Sequence, residues 1–327
     1  MRKKHNTAIV AAVAVFSLIL LAGCGDLPGK EAADRQLEES LTGSNGSGFI
    51  ESISLDIGEA AEDISKGITE ATEVVQEAVK ETAGQVADQI EENSLQQELT
   101  TSLPAEGSTK IYLDNAVGRV ELFSGQGDDL NVSATIIAHN PLTVNTDRKI
   151  IENAEVSIEK EGSRLTVSTH SKENQEKDLW TWAQKKYGHS DFSINYVIEI
   201  PAGITAYDIT SNVGSIELNG LEGSFDVTSD VGTITLKEAV ITGKSKLQTD
   251  TGSIELGLEG METGSSLKAS SAIGAIKAHL ASSLNCTVKA SSELGGISGV
   301  ADGKQDYNEG GPLLSLSTEI GAISVIQ

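Results

Sequence analysis

The stretch Phe225-Asp-Val-Thr-Ser-Asp-Val-Gly-Thr-Ile-Thr-Leu236 sets a pattern of apolar, x, apolar, x, Ser/Thr, x, apolar, Gly, x, Ile, x, apolar. It recurs around Gly118, Gly214, Gly232, Gly252, Gly274, Gly295 and Gly321, and the last five intervals are 18, 20, 22, 21 and 26 residues. Two residues after each glycine stand Val120, Ile216, Ile234, Ile254, Ile276, Ile297 and Ile323. Three before it stand Asn115, Ser211, Ser229, Thr249, Ser271, Ser292 and Thr318. Period-two alternation on both sides of the glycine predicts two short strands, each with one face inward. The glycine takes the turn between them, where positive φ costs it nothing. Such units bury their apolar side only by stacking, so the columns predict coils lying one on the next, about 4.8 Å apart. The Ser/Thr column is expected to hydrogen-bond along the stack. Seven unrelated hairpins in an antiparallel sandwich would not need columns this consistent.

The expected fold is mainly β: a right-handed β-solenoid of about 20-residue turns over 103–327, preceded by one long amphipathic α-helix. Regular repeats occupy 207–327, and an irregular β-rich part occupies 123–201. Within that part, Leu130 to Ala138 and Phe192 to Ile200 alternate as strands, and Glu155 to Thr169 reads as a hairpin turning at Glu161-Gly162-Ser163. The acidic helix is expected within 49–102, with Ile57, Ala61, Ile64, Ile68, Ala71 and Val75 as a narrow stripe. Ten acids against Lys66 and Lys80 between Ile57 and Glu92 exclude a membrane-surface helix with a basic polar face. Packing on the repeats and self-association as a stalk stay open for it.

The first residues carry an address. Arg2, Lys3 and Lys4 precede an apolar run from Ala8 to Ala22, too short to span a bilayer. It closes with Leu21-Ala22-Gly23-Cys24, which resembles the lipobox of bacterial lipoproteins. That resemblance implies a signal peptide over 1–23, lipid attachment at Cys24, a flexible tether over 24–48, and an extracytoplasmic protein held to the bilayer by acyl chains. An ordinary secretory signal with an incidental cysteine is the plainer reading. Loss of the leader takes the formal charge from −24 to −27, because Arg2, Lys3 and Lys4 go and no acid goes with them. A surface this acidic repels nucleic acid and anionic headgroups. Cys286, the other cysteine, is expected to be a small buried apolar side chain.

From Ser108 to Gln327 the Gly-x-Ile turns are similar to those of the toastrack-type family of bacterial candidate adhesins. The resemblance implies a β-solenoid on a secreted or envelope-attached protein, without an established chemistry. It says nothing of the insertion near 170–190.

Chemistry is sparse. Polysaccharide-active β-helices use an Arg or Lys base beside carboxylates or calcium, and no arginine follows Arg164. His139, His170, His189 and His279 form no zinc motif and are expected at the surface. No catalytic, cofactor-binding or metal-binding residue is expected, and no cofactor. One segment stands apart: Trp180, Trp182 and Tyr187 lie beside Lys177, Lys185 and Lys186, as a contact for a protein or glycan partner or as a short helix covering one side of a coil. The apolar final turn, Leu314 to Ile326, is expected to leave an open ladder end, capped by the acidic helix or by end-to-end self-association. The function so read is non-catalytic: adhesion, scaffolding or envelope sensing. A polysaccharide-active enzyme and an accessory ligand-binding protein of a membrane system are the alternatives.

Overall fold

Every glycine of the repeat faces the glycine, or the equivalent backbone, of the neighbouring rung, and that column organises the molecule. The computed structural model of the chain describes residues 95–140 and 142–327. The expected leader, Cys24, the expected tether and the expected helix as far as residue 94 lie outside those residues. The part of the expected helix that falls inside them is a strand: β1 (Gln96–Pro104). Leu95, Leu99 and Leu103 pack against the core on one side of it, a period of two rather than 3.6.

The chain continues through β2 (Lys110–Val117), β3 (Val120–Ser124), β4 (Asp129–Ala138), α1 (Val144–Asn153), β5 (Ala154–Glu161), β6 (Arg164–Ser171), β7 (Asn174–Asp178), α2 (Leu179–Tyr187) and β8 (Phe192–Ile200). The repeats follow as β9 (Ala206–Val213), β10 (Ile216–Asn219), β11 (Glu222–Val231), β12 (Ile234–Ile241), β13 (Lys244–Thr251), β14 (Ile254–Met261), β15 (Ser266–Ile273) and β16 (Ile276–Leu280). The last strands are β17 (Cys286–Leu294), β18 (Ile297–Ser298), β19 (Lys304–Tyr307), β20 (Leu313–Ile320) and β21 (Ile323–Ile326). The protein is therefore mainly β, with two α-helices among the described residues.

Strands before the glycine form one parallel sheet, β2-β9-β11-β13-β15-β20-β17. Strands after it form a second, β3-β10-β12-β14-β16-β21-β18. Register is strict: Val120 lies opposite Ile216, and Ile216, Ile234, Ile254 and Ile276 follow one another rung by rung. Those five side chains are fully buried, each contributing roughly 1.5–3 kcal/mol by leaving water. Aliphatic side chains stacked in this way give a continuous core with few aromatic rings.

The hydroxyl column bonds along the stack, as expected, and its acceptors are glycine carbonyls. Thr249 Oγ1 donates to the Gly232 carbonyl (3.2 Å), Ser271 Oγ to Gly252 (2.9 Å), Thr318 Oγ1 to Gly274 (2.9 Å) and Ser292 Oγ to Gly321 (2.8 Å). Each hydroxyl thus ties its own coil to the glycine carbonyl of the next.

The order of the final coils departs from the order of the chain. β20 lies between β15 and β17, and β21 lies between β16 and β18. Ile323 is paired with Ile276 on one side and Ile297 on the other. The final turn therefore closes the stack from within, and the expected open ladder end at Leu314–Ile326 is not there. β18 is the terminal rung instead. The composition explains the choice. Leu314, Leu316 and Ile323 are buried, which suits an interior rung, whereas the coil of β17 and β18 has a two-residue second strand and a Gly295-Gly296 corner. The first half of its outer edge, Cys286–Lys289, is covered by β19, antiparallel to β17, which protects that part of the ladder from further pairing.

The other end is closed by the irregular part. β8 joins β3 in parallel and β4 antiparallel, and β1 adds to β4. β6 joins β2 in parallel and carries β5 and β7 antiparallel. The β5–β6 hairpin turns at Gly162-Ser163, with Glu161 opposite Arg164, as expected. Helix α1, an element not anticipated, leads from β4 to β5 and buries Ile150 and Ile151; α2 leads from β7 to β8 and buries Leu179, Trp182 and Ala183. Together the two helices seal that end of the core.

Candidate binding surface

Helix α2 is defined at both ends. Asp178 caps its start by accepting from the Thr181 backbone N–H at 2.7 Å, Gly188 ends it in the left-handed conformation, and Lys185 and Lys186 sit at its negative pole. Its rings pack. Trp180 stacks on Phe192 at 5.6 Å between centroids and donates its indole N–H to the Phe192 carbonyl at 3.1 Å. Trp182 is buried and meets Tyr187 edge-on at 5.6 Å, with Lys186 Nζ 5.0 Å from the Trp182 ring centroid. Of the three aromatic residues singled out in the sequence, Trp180 and Tyr187 keep partial exposure while Trp182 does not. Cys24 lies outside the described residues.

The histidines gather more than their spacing suggests. His189 Nδ1 stands 3.7 Å from Asp147 Oδ1 and 3.9 Å from Asp191 Oδ2, beyond hydrogen-bonding distance. His139 is joined to the same place through its backbone N–H, which donates to the Asp191 carbonyl at 2.9 Å. Burial lowers the His139 pKa against the opposing pull of Asp191 and Asp147. Among the described residues no group of three or more His, Cys, Asp or Glu side chains stands where it would hold a metal ion. His170 is buried rather than at the surface, with Nε2 2.9 Å from Ser157 Oγ. Among the described residues only His279 is an exposed histidine, and His139 and His189 are half-buried. Cys286 is a buried free thiol whose pKa burial pushes up to about 11, so it is inert as a nucleophile at neutral pH.

Two outer surfaces escaped the sequence reading. The first is a recess of about 530 Å³ on the outer face of β1, β4, β8 and β3. Phe123 and Val197 form its apolar part, and Thr100, Ser102, Asn131, Ser133 and Glu199 its polar part. Ser102 Oγ donates to Asn131 Oδ1 (2.7 Å) and Asn131 Nδ2 to Glu199 Oε2 (3.0 Å), while Ser133 Oγ donates to Glu98 Oε1 (2.6 Å). Hydroxyls, an amide and carboxylates around a small apolar floor suit a polyhydroxylated ligand. The signal lay in β1, whose alternation was hidden behind a helical reading.

The second is the glycine corner. Period two places the residue before each glycine on the inward face, beside the Ser/Thr column. The structure places it outside. After the inward Ser/Thr the chain bends, and the next two residues both face out before glycine turns it. Val117, Val213, Val231, Thr251, Ile273, Ile320 and Leu294 consequently form one outer ridge, paired rung to rung. Exposure grows toward the terminal rung, with Ile320 at 38% and Leu294 at 52%.

Residues 202–308, which run from just before β9 to the end of β19, match the family model described as Toastrack DUF4097. Similar solved structures include a candidate cell adhesion protein from Clostridium sporogenes, 13% identical, covering 71% of this chain and 100% of that one, with a TM-score of 0.37. A candidate adhesin from Bacteroides fragilis is 14% identical, over 70% of this chain and 97% of that one, with a TM-score of 0.29. A candidate lipid binding protein from Parabacteroides distasonis is 13% identical, over 71% and 97%, with a TM-score of 0.27. No curated protein matches the chain. No helix among the described residues is long and apolar enough to cross a membrane.

Proposed function

We propose that this chain is a non-catalytic lipoprotein of the bacterial cell envelope. Acylated at Cys24 and lifted from the bilayer by the 24–48 tether and an acidic helical segment, it displays a right-handed β-solenoid of about twenty residues per turn. Its role is adhesion, scaffolding or envelope sensing. The carrying observation is the in-register stack. Inward positions are taken up by one continuous core, and outward positions repeat in rows about 4.8 Å apart, a rigid surface suited to contact and not to turnover. The likeness of residues 202–308 to toastrack domains agrees with this reading.

The recess beside β1 supplies a concrete ligand class, the hydroxyl-rich cell-wall glycan. Where the α2 insertion contacts a partner, it does so through the exposed edges of Trp180 and Tyr187 with Lys185 and Lys186, since Trp182 is committed to the core. The test is capture from envelope extract by the mature chain carrying Cys24→Ser. Specific retention of a glycan or protein supports the reading, and loss of glycan retention in Asn131→Ala with Phe123→Ala would place it in the recess. Release of new reducing or unsaturated ends from polysaccharides would overturn the non-catalytic assignment. Palmitate incorporation that persists in Cys24→Ser would overturn the anchor.

A further inference from the structure

Along the glycine corner, the largely aliphatic ridge adjoins two pairs of carboxylates, with Ala272 on the rung between them. Asp230 lies beside Asp250, between the pairs Ser229–Thr249 and Val231–Thr251; Glu293 lies beside Glu319, between Ser292–Thr318 and Leu294–Ile320. All four acids are exposed, and none makes an ion pair among the described residues. Asp230 and Asp250 crowd each other one rung apart, and burial together with Asp250 raises the Asp230 pKa. Beside them run Val231, Thr251, Ile273, Ile320 and Leu294, the outermost of which leaves more than half its surface in water. Five rungs give the double row a length of about 19 Å, matching six residues of extended chain or about thirteen of helix.

We propose that this corner docks a basic amphipathic polypeptide segment of a partner protein, one that lays aliphatic side chains on Val231–Leu294 and sets Lys or Arg against Asp230, Asp250, Glu319 and Glu293. Charge selects this occupant. The chain's own 57–92 segment carries ten acids against two lysines, and would meet these carboxylates with the same sign. A second copy, at −24 overall, meets the same repulsion, as does an anionic lipid surface. The proposal concerns a surface separate from the recess and stands without glycan binding.

The test uses the mature chain with Cys24→Ser and two labelled six-residue probes, one alternating Leu with Lys and one alternating Leu with Glu, followed by fluorescence anisotropy at low and physiological salt. Binding of the Lys probe alone, weakening with salt, is expected. Asp230→Asn with Asp250→Asn should weaken it about tenfold by removing the charge partners, and Leu294→Ser with Ile320→Ser about as much by removing apolar contact. Both pairs are at the surface, so circular dichroism should show the fold retained. Equal weakening by Glu159→Gln with Glu161→Gln on the distant β5–β6 hairpin would show attraction to net charge alone and overturn the proposal. So would undiminished binding in the corner variants, absence of Lys-probe binding, or a dimer in light scattering that Leu294→Ser dissolves. Capture of envelope components is read separately, so loss of this proposal and loss of the binding role are distinguishable.

Discussion

Replacing Gly252 by alanine tests the contact that lets coils approach. A β-carbon there would stand 1.9 Å from the Gly232 carbonyl oxygen, where ordinary contact begins at about 3.5 Å. The two coils must part by about 1.5 Å at the corner to admit it. The hydrogen bonds from Gly232 N to Thr251 O (2.9 Å) and from Ile234 N to Ser253 O (3.0 Å) hold that spot, together with Thr249 Oγ1 on the Gly232 carbonyl. Parting by that much breaks the two backbone bonds, at about 1 kcal/mol each. The backbone at φ +151° adds about 1–2 kcal/mol of strain for any side chain. The expected loss is therefore about 3–4 kcal/mol. Gly264→Ala separates the two causes, because Gly264 has φ +87° with nothing within 4 Å of its β-carbon; it should cost only the strain, about 1–2 kcal/mol. Urea unfolding followed by circular dichroism measures both. Equal losses in the two variants would refute the argument from close approach.

Deleting residues 312–327 should open the stack and leave β17 unprotected against amide exchange, although those residues end the chain, because β20 separates β17 from β15; full protection of β17 after deletion would contradict this. Cys286 should resist iodoacetamide at pH 8 until the protein is unfolded by urea, since its thiol is buried and its pKa is raised to about 11. The raised thiol contributes stability that is present below the ordinary thiol pKa and is lost as pH climbs from about 9 toward 11; an unfolding midpoint that does not fall there sooner than in Cys286→Ala would count against it. Asp230 has its carboxyl pKa raised by burial and by Asp250, so its folded form favours the proton and gains stability on acidification. Asp230→Asn should thus be more stable than the native chain at pH 7, with the difference shrinking as pH falls toward 4; a difference that grows instead would reverse the sign.

The columns of glycine and isoleucine were legible because each rung repeats the same steric demand, and the in-register pairing of Ile216, Ile234 and Ile254 follows from it. The β5–β6 hairpin and β8 were legible from alternation and turn residues. The order of the last coils was not, because every repeat offers the same faces to either neighbour. What decides it is the detour through β19 between Gly295 and Gly321, a tertiary choice. The ridge was not legible for a geometric reason: period two holds within a strand but fails at a corner, where two successive residues face out. The helical expectation ran too far, into β1, where Leu99 and Leu103, with Leu95 just before the strand, can also be taken at a spacing of four. In helix α1 the N-cap Thr143 makes no side-chain cap on the backbone N–H groups of the first turn, its hydroxyl donating to Asp147 instead, and the helix's place comes from burying Ile150 and Ile151. The recess needed β1 beside β4, a pairing between residues about thirty positions or more apart in its middle that no local pattern encodes.

The arrangement of coils can be read by cross-linking in a chain freed of its native cysteines. Lys277→Cys with Ser324→Cys occupies opposed positions on adjacent rungs, within the Cα separation of about 4.4–6.8 Å that a disulfide spans. Lys277→Cys with Ser298→Cys flanks the same rung from both sides, about 9.6 Å apart. Rapid oxidation of the first pair and none of the second is the expected outcome. A disulfide between positions 277 and 298, with the first pair left reduced, would show coils stacked in chain order and contradict the intercalated stack.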